Sequence, residues 1–74
     1  MYLSDAEYKK EYIIEEINGQ GIYVRRFYEM GILPMAKIKL LKKAPFGDPY
    51  IIGIRGYKIA VRKIDCGKIV IMEV

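Results

Sequence analysis

Few side chains in this 74-residue chain could do chemistry, and their spacing limits what each can do. Glu15 and Glu16 are its one pair of adjacent carboxylates. Neighbours in an alternating strand point to opposite faces, so the two can share neither a proton nor a substrate. Gly19-Gln20-Gly21 opens like a dinucleotide fingerprint, but the third glycine position holds Val24 and no parallel crossover unit follows. It reads as a flexible turn into a helix. Asp48, between Gly47 and Pro49, is placed to accept backbone N–H bonds in a turn. Cys66 is the single thiol and histidine is absent. An intramolecular disulfide, a histidine base and a soft-metal shell are therefore excluded. Cys66 reads as a buried filler in an apolar turn. These residues imply no catalytic group, no metal site and no cofactor, and point to a binding module rather than an enzyme.

Two further groups could touch a partner. Lys37, Lys39, Lys42, Lys43, Arg55, Lys58, Arg62 and Lys63 form a basic set, which an amphipathic strand also shows as its ordinary solvated face. Nucleic-acid binding by a small barrel needs aromatics interleaved with the bases, and most of the seven tyrosines and two phenylalanines fall on the expected apolar face. That pattern argues against nucleic acid. Phe46 stands at the tip of a turn, behind Pro45 and ahead of Gly47. It either folds back over the end of the barrel or offers an exposed anchor to a partner.

At 8.6 kDa the chain allows one domain, residues 1–74. Its formal net charge of +4 is unevenly placed. Residues 1–20 carry two lysines against five carboxylates, and residues 21–74 carry eleven bases against four. The longest apolar stretch, Tyr50 to Ile54, is far below the ~18 residues of a membrane span. The leading residues lack the basic and apolar regions of an export signal, and with a lone thiol this suggests the reducing cytoplasm.

The elements that must position these groups follow from periodicity. Tyr12 to Ile17 alternate as a strand that stops at Asn18-Gly19, a pair that tolerates left-handed backbone. From Ile22 to Met30 the spacing predicts a helix, with Tyr23, Phe27 and Met30 beside Val24 and Tyr28 as an apolar stripe. Arg25, Arg26 and Glu29 are left to solvent. Gly31 suits a left-handed helix end, and Pro34 forbids continuation. Four strands are expected next. The first alternates Ala36, Ile38 and Leu40 with Lys37, Lys39 and Leu41. The second, Tyr50 to Ile54, is apolar on both faces and is expected at the centre of the sheet. After the tight turn Arg55-Gly56 comes Tyr57 to Arg62, then a turn at Ile64 to Gly67, then Ile69 to Glu73. Together they predict a mainly β fold: a small, closed, SH3-like antiparallel barrel of about five strands, with one helix after the first.

Three segments carry a resemblance: Arg25 to Pro34, Ala44 to Ile52, and Arg55 to Lys63, with the Asn18-Gly19 turn before the helix. Their order and spacing are similar to the FeoA family of ferrous iron transport accessory proteins, over roughly residues 12 to 73. Two positions depart from the family's pattern: Met35 stands where glycine is common, and Cys66 where alanine is. The resemblance implies an SH3-like barrel and a cytoplasmic protein, recruited to the inner face of the membrane by its partner FeoB, the ferrous iron permease with a GTP-binding domain. No small-molecule substrate is implied. The expected contact residues are Arg25, Arg26 and Glu29 on the helix, Phe46, Gly47 and Asp48 in the turn, and Arg55. Arg25, Arg26, Arg55 and Arg62 are candidates for an arginine supplied in trans to a nucleotide site. The alternatives are a stand-alone relative of the SH3-like domain at the C-terminus of iron-dependent repressors and a small basic nucleic-acid-binding barrel. Exposed edges at the seam of a small barrel leave a homo-oligomer open, with Met35 and Phe46 as added apolar contacts.

Overall fold

The computed structural model describes residues 1–19 and 21–74. Five strands form one antiparallel sheet: β1 (Glu11–Ile17), β2 (Lys37–Lys43), β3 (Tyr50–Ile54), β4 (Tyr57–Val61) and β5 (Ile69–Glu73), in the spatial order β4-β3-β2-β1-β5. Helix α1 (Ile22–Glu29) follows β1, as expected, and a 3-10 turn, Leu3–Asp5, precedes it. Ile64 to Gly67, expected as a plain turn, instead holds one turn of helix, α2 (Lys63–Cys66).

Alternation decides which face is inside. Tyr12 and Ile14, Ile38 and Leu40, Tyr50, Ile52 and Ile54, Val61, and Ile69 and Ile71 are buried from all five strands. They join Leu3, Phe27, Ile32 and Cys66 in a single core. The phenol of Tyr12 is buried without penalty because its oxygen accepts the Glu7 N–H at 3.1 Å. Two bulges interrupt the period, where Glu15 in β1 and Leu41 in β2 are each an extra residue. The bulge leaves both Glu15 and Glu16 exposed on strand β1, so neither contributes to the core.

Two expectations about the sheet are corrected. β3 is not its centre; β2 is, in spite of its lysine-bearing outer face. The outer face of β3 carries only Ile51 and Gly53, both half-buried, and Leu41 lies over Gly53. A strand that is apolar on both sides therefore needs no second layer. Nor does the backbone ladder close on itself, since β4 and β5 remain its edges. The gap between them is spanned by α2 and filled by the shared core. The β5 edge is covered by the start of the chain: Tyr2 bridges Val70, and the Ile71 N–H donates to the Met1 carbonyl at 2.7 Å. That cover satisfies a row of ladder groups that would otherwise pair with another chain.

Candidate functional site

Helix α1 is tethered by little. Of its eight residues only Phe27 is buried, and Val24 is half-buried. The apolar stripe expected to face the core is thus mostly in solvent: Tyr23, Tyr28 and Met30 are all exposed. What holds the helix is its C-terminal end. The Gly31 N–H donates to the Tyr28 carbonyl at 3.0 Å and the Ile32 N–H to the Phe27 carbonyl at 2.8 Å, with Gly31 at φ 87°. This is a Schellman closure, and its hydrophobic companion is the fully buried Ile32.

Arg25, Arg26 and Glu29 are exposed on the free side of this helix. Arg25, Tyr28 and Glu29 line an open depression of about 600 Å³ with Gly19, Gly21 and Val24. Arg55 stands at the C-terminal end of the same helix, on the β3–β4 turn. That turn needs left-handed backbone at both central residues, and Arg55 (φ 51°) and Gly56 (φ 81°) supply it. A Cβ on Gly31 would lie 3.6 Å from the Arg55 Cδ, so the arginine stem crosses the end of α1. A cation there faces the negative pole of the helix. Arg55 also borders a depression of about 440 Å³ on the outer face of the sheet. Its floor follows the register: Glu11 opposite Lys39, Lys39 opposite Gly53, Gly53 opposite Lys58. Lys37 pairs with Glu11 at 3.9 Å. Among the described residues no ion pair engages Arg25, Arg26, Glu29 or Arg55.

Phe46, Gly47 and Asp48 lie elsewhere. They occupy the β2–β3 turn, at the other end of β3 from Arg55, and the five residues of that strand span about 13 Å. The seven expected contact residues therefore form two groups rather than one face. The tip is a β-turn closed by the Gly47 N–H on the Ala44 carbonyl at 2.7 Å, and Phe46 at its corner is 99% exposed. Of the two readings of Phe46, the structure shows the exposed one. Asp48 does accept a backbone N–H, but not one in its own turn: its Oδ1 takes the Lys63 N–H at 3.0 Å, fastening the tip to the first residue of α2. Spacing could not show that bond, because its partners are fifteen residues apart.

Cys66 is fully buried, with Sγ 4.0 Å from the Val61 carbonyl. Burial first, then the nearby carboxylates Asp65 and Asp48, push its thiol up to about 12. Such a thiol is neither a nucleophile nor a ready metal ligand. Among the described residues no three carboxylate or thiol side chains converge. At the surface, Lys10 bridges Glu73 and Glu7. Its hydrogen bond to Glu73 raises the lysine and lowers the glutamate from their ordinary values.

A five-stranded antiparallel sheet with one exposed, charge-bearing helix and two shallow depressions defines a small SH3-like domain. Comparison with known proteins is more specific. Residues 1–73 match the FeoA domain, and the chain belongs to the FeoA family. A curated relative, the Fe(2+) transport protein A/Fe(2+) transporter FeoB fusion protein of Porphyromonas gingivalis, is 30% identical over 69 residues, which are 93% of this chain and 8% of that one. The solution structure of iron(II) transport protein A from Clostridium thermocellum superposes with a TM-score of 0.93 at 27% identity, covering all of this chain and 46% of that one. The manganese regulator SloR contains a similar fold, with a TM-score of 0.85 at 15% identity over all of this chain and 34% of that one. This chain thus spans a small part of one relative and about half of the other. Among the described residues no helix is long and apolar enough to cross a membrane.

Proposed function

We propose that this protein is a cytoplasmic accessory factor of ferrous iron uptake that binds the FeoB-type GTPase-permease and modulates it by contact rather than by catalysis. The observation that carries this is the fusion: in the Porphyromonas gingivalis relative the matching segment belongs to the same polypeptide as an Fe(2+) transporter FeoB. Fusion places two modules at high effective concentration, an arrangement suited to partners that meet as separate chains elsewhere. The surface offered for that contact is the free side of α1 with Arg55. It combines exposed charges (Arg25, Arg26, Glu29 and Arg55) with exposed Tyr28 and Ile22, the mixture of arginine and aromatic residues that interfaces favour.

Titration of the purified protein against the cytoplasmic domain of the cognate permease, in GTP- and GDP-bound states, tests the proposal. Saturable binding is expected, weakened at least tenfold by Arg25→Glu with Arg55→Glu while the thermal midpoint stays within a few degrees. GTP hydrolysis followed at rising protein concentration reads modulation, and loss of a rate effect with binding retained in a single arginine variant would identify a residue acting at the nucleotide. Absence of binding in every nucleotide state would refute the reading. The likeness to SloR supports a second one, an interaction module that docks on another domain or peptide of a metal-responsive regulator. Capture of such a regulator, with no permease binding, would favour it.

A further inference from the structure

The tip of the β2–β3 turn and the start of α2 form a surface that the permease reading leaves unused. Phe46 is 99% exposed and Ile64 is 69% exposed. They flank one hydrogen bond, Phe46 standing two residues before Asp48 and Ile64 one residue after Lys63. Around them are four exposed cations, Lys42, Lys43, Arg62 and Lys63. The Lys43 ammonium sits 4.8 Å from the ring centre of Tyr50 and 6.0 Å from that of Tyr8, which is itself half exposed. Of the carboxylates nearby, Asp48 is engaged by the Lys63 N–H and Asp65 by Lys68 at 4.0 Å, while the exposed Asp5 lies in the Leu3–Asp5 turn that packs beside α2. From residue 40 to 47 and from 58 to 64 the chain carries no acidic residue.

We propose that this tip is a lipid-contact site, which seats the protein on an anionic bilayer with Phe46 and Ile64 in the headgroup–acyl boundary and the surrounding cations on the phosphates. The chemistry is that of interfacial anchors, in which an apolar wedge supplies depth and a ring of lysine and arginine supplies attraction to negative lipid. A protein pocket would need concave walls, whereas Phe46 projects from a convex tip. The turn is preorganised by Pro45 and by the closing bond from Gly47, so insertion orders little backbone. One aromatic and one aliphatic side chain make a weak, reversible anchor, dependent on salt and on lipid charge. The site does not depend on the permease reading, and vesicles that contain no protein separate the two.

The chain has no tryptophan, so Phe46→Trp installs a single reporter at the tip. With vesicles of phosphatidylglycerol and phosphatidylcholine at low salt, its emission is expected to shift to the blue and to be quenched by brominated acyl chains. Neither change is expected with pure phosphatidylcholine vesicles or at high salt. In cosedimentation, Phe46→Ser in the otherwise native chain is expected to lower partitioning about tenfold, the effect of withdrawing one aromatic side chain from an apolar phase. Ile64→Ser should lower it by less. Cosedimentation with no emission shift would overturn the proposal. So would binding lost in Lys39→Glu with Lys58→Glu but kept in Phe46→Ser, since the outer face of the sheet would then hold the lipid. Failure to bind anionic vesicles at low salt would overturn it outright and leave permease docking untouched.

Discussion

Replacing Met35 with glycine is expected to stabilise the protein, and the expectation can be worked from local geometry. Met35 follows Pro34 in a turn closed by the Ala36 N–H on the Leu33 carbonyl at 3.1 Å, and its φ is 76°. A side chain in left-handed backbone costs about 1–2 kcal/mol. The turn has not relaxed because the Met35 N–H is fastened to the Ile14 carbonyl of β1 at 2.8 Å. Glycine removes the strain but widens the unfolded ensemble, which returns about 0.5–1 kcal/mol. The methionine side chain is 71% exposed, so little packing is lost. The balance is a gain of about 0.5–1 kcal/mol, a rise in midpoint of about 3–6 °C for a domain of this size. Gly31→Ala is the converse test. At φ 87° the added methyl meets nothing closer than 3.6 Å, so strain alone acts, and a loss of about 0.5–1 kcal/mol is expected. Thermal and urea melts followed by circular dichroism measure both. A fall of more than about 3 °C for Met35→Gly would refute the argument, because the methionine would then be packing in solution and the turn would not be strained.

Phe27→Ala is expected to cost about 3–5 kcal/mol, since this is the one buried side chain of α1. A domain of this size holds about 4–11 kcal/mol in total, so urea melts should show it close to unfolding at 37 °C. Tyr23→Ala on the same helix is expected to cost under about 1 kcal/mol. Asp48→Ala removes the acceptor for the Lys63 N–H and is expected to cost about 1 kcal/mol, with faster amide exchange at Lys63 as its local signature. Cys66 should resist thiol reagents at pH 8 until the protein is unfolded. Because the fold holds its proton to about 12 while the unfolded chain releases it near 9, this thiol's contribution is intact below pH 9 and declines as pH rises towards 12. Cys66→Ala should lack that part of the alkaline decline in melts across pH 8 to 11, and an identical decline in both proteins would refute the assignment.

The expected contact residues divide between two ends of the molecule, and this changes how docking and membrane association can combine. Arg25, Arg26 and Glu29 lie on the exposed side of α1, and Arg55 crosses Gly31 at the end of the same helix. Phe46, Gly47 and Asp48 meet α2 instead. Under the two proposals made above, a protein partner at the first group would leave the second free for a bilayer. The sheet edge β4 carries exposed Tyr57 and Lys58. The β5 edge is occupied by Met1 and Tyr2.

What the sequence by itself determined was the kind of each element and the chemistry of its ends. Alternation marked β1, β2 and β4, an apolar run marked β3, Gly31 and Pro34 marked the end of α1, and Arg55-Gly56 marked the hairpin, because these signals depend on residues within one or two turns of each other. The lack of histidine and the single thiol likewise exclude an intramolecular disulfide and a histidine base. The tertiary structure decided which surfaces are covered. It put β2 rather than β3 at the centre, left Tyr23, Tyr28 and Met30 in solvent, exposed Phe46, and tied Asp48 to Lys63. Periodicity states which side chains share a face, but whether anything packs on that face depends on chain segments tens of residues away. That is why the apolar stripe of α1 was legible and its solvent exposure was not.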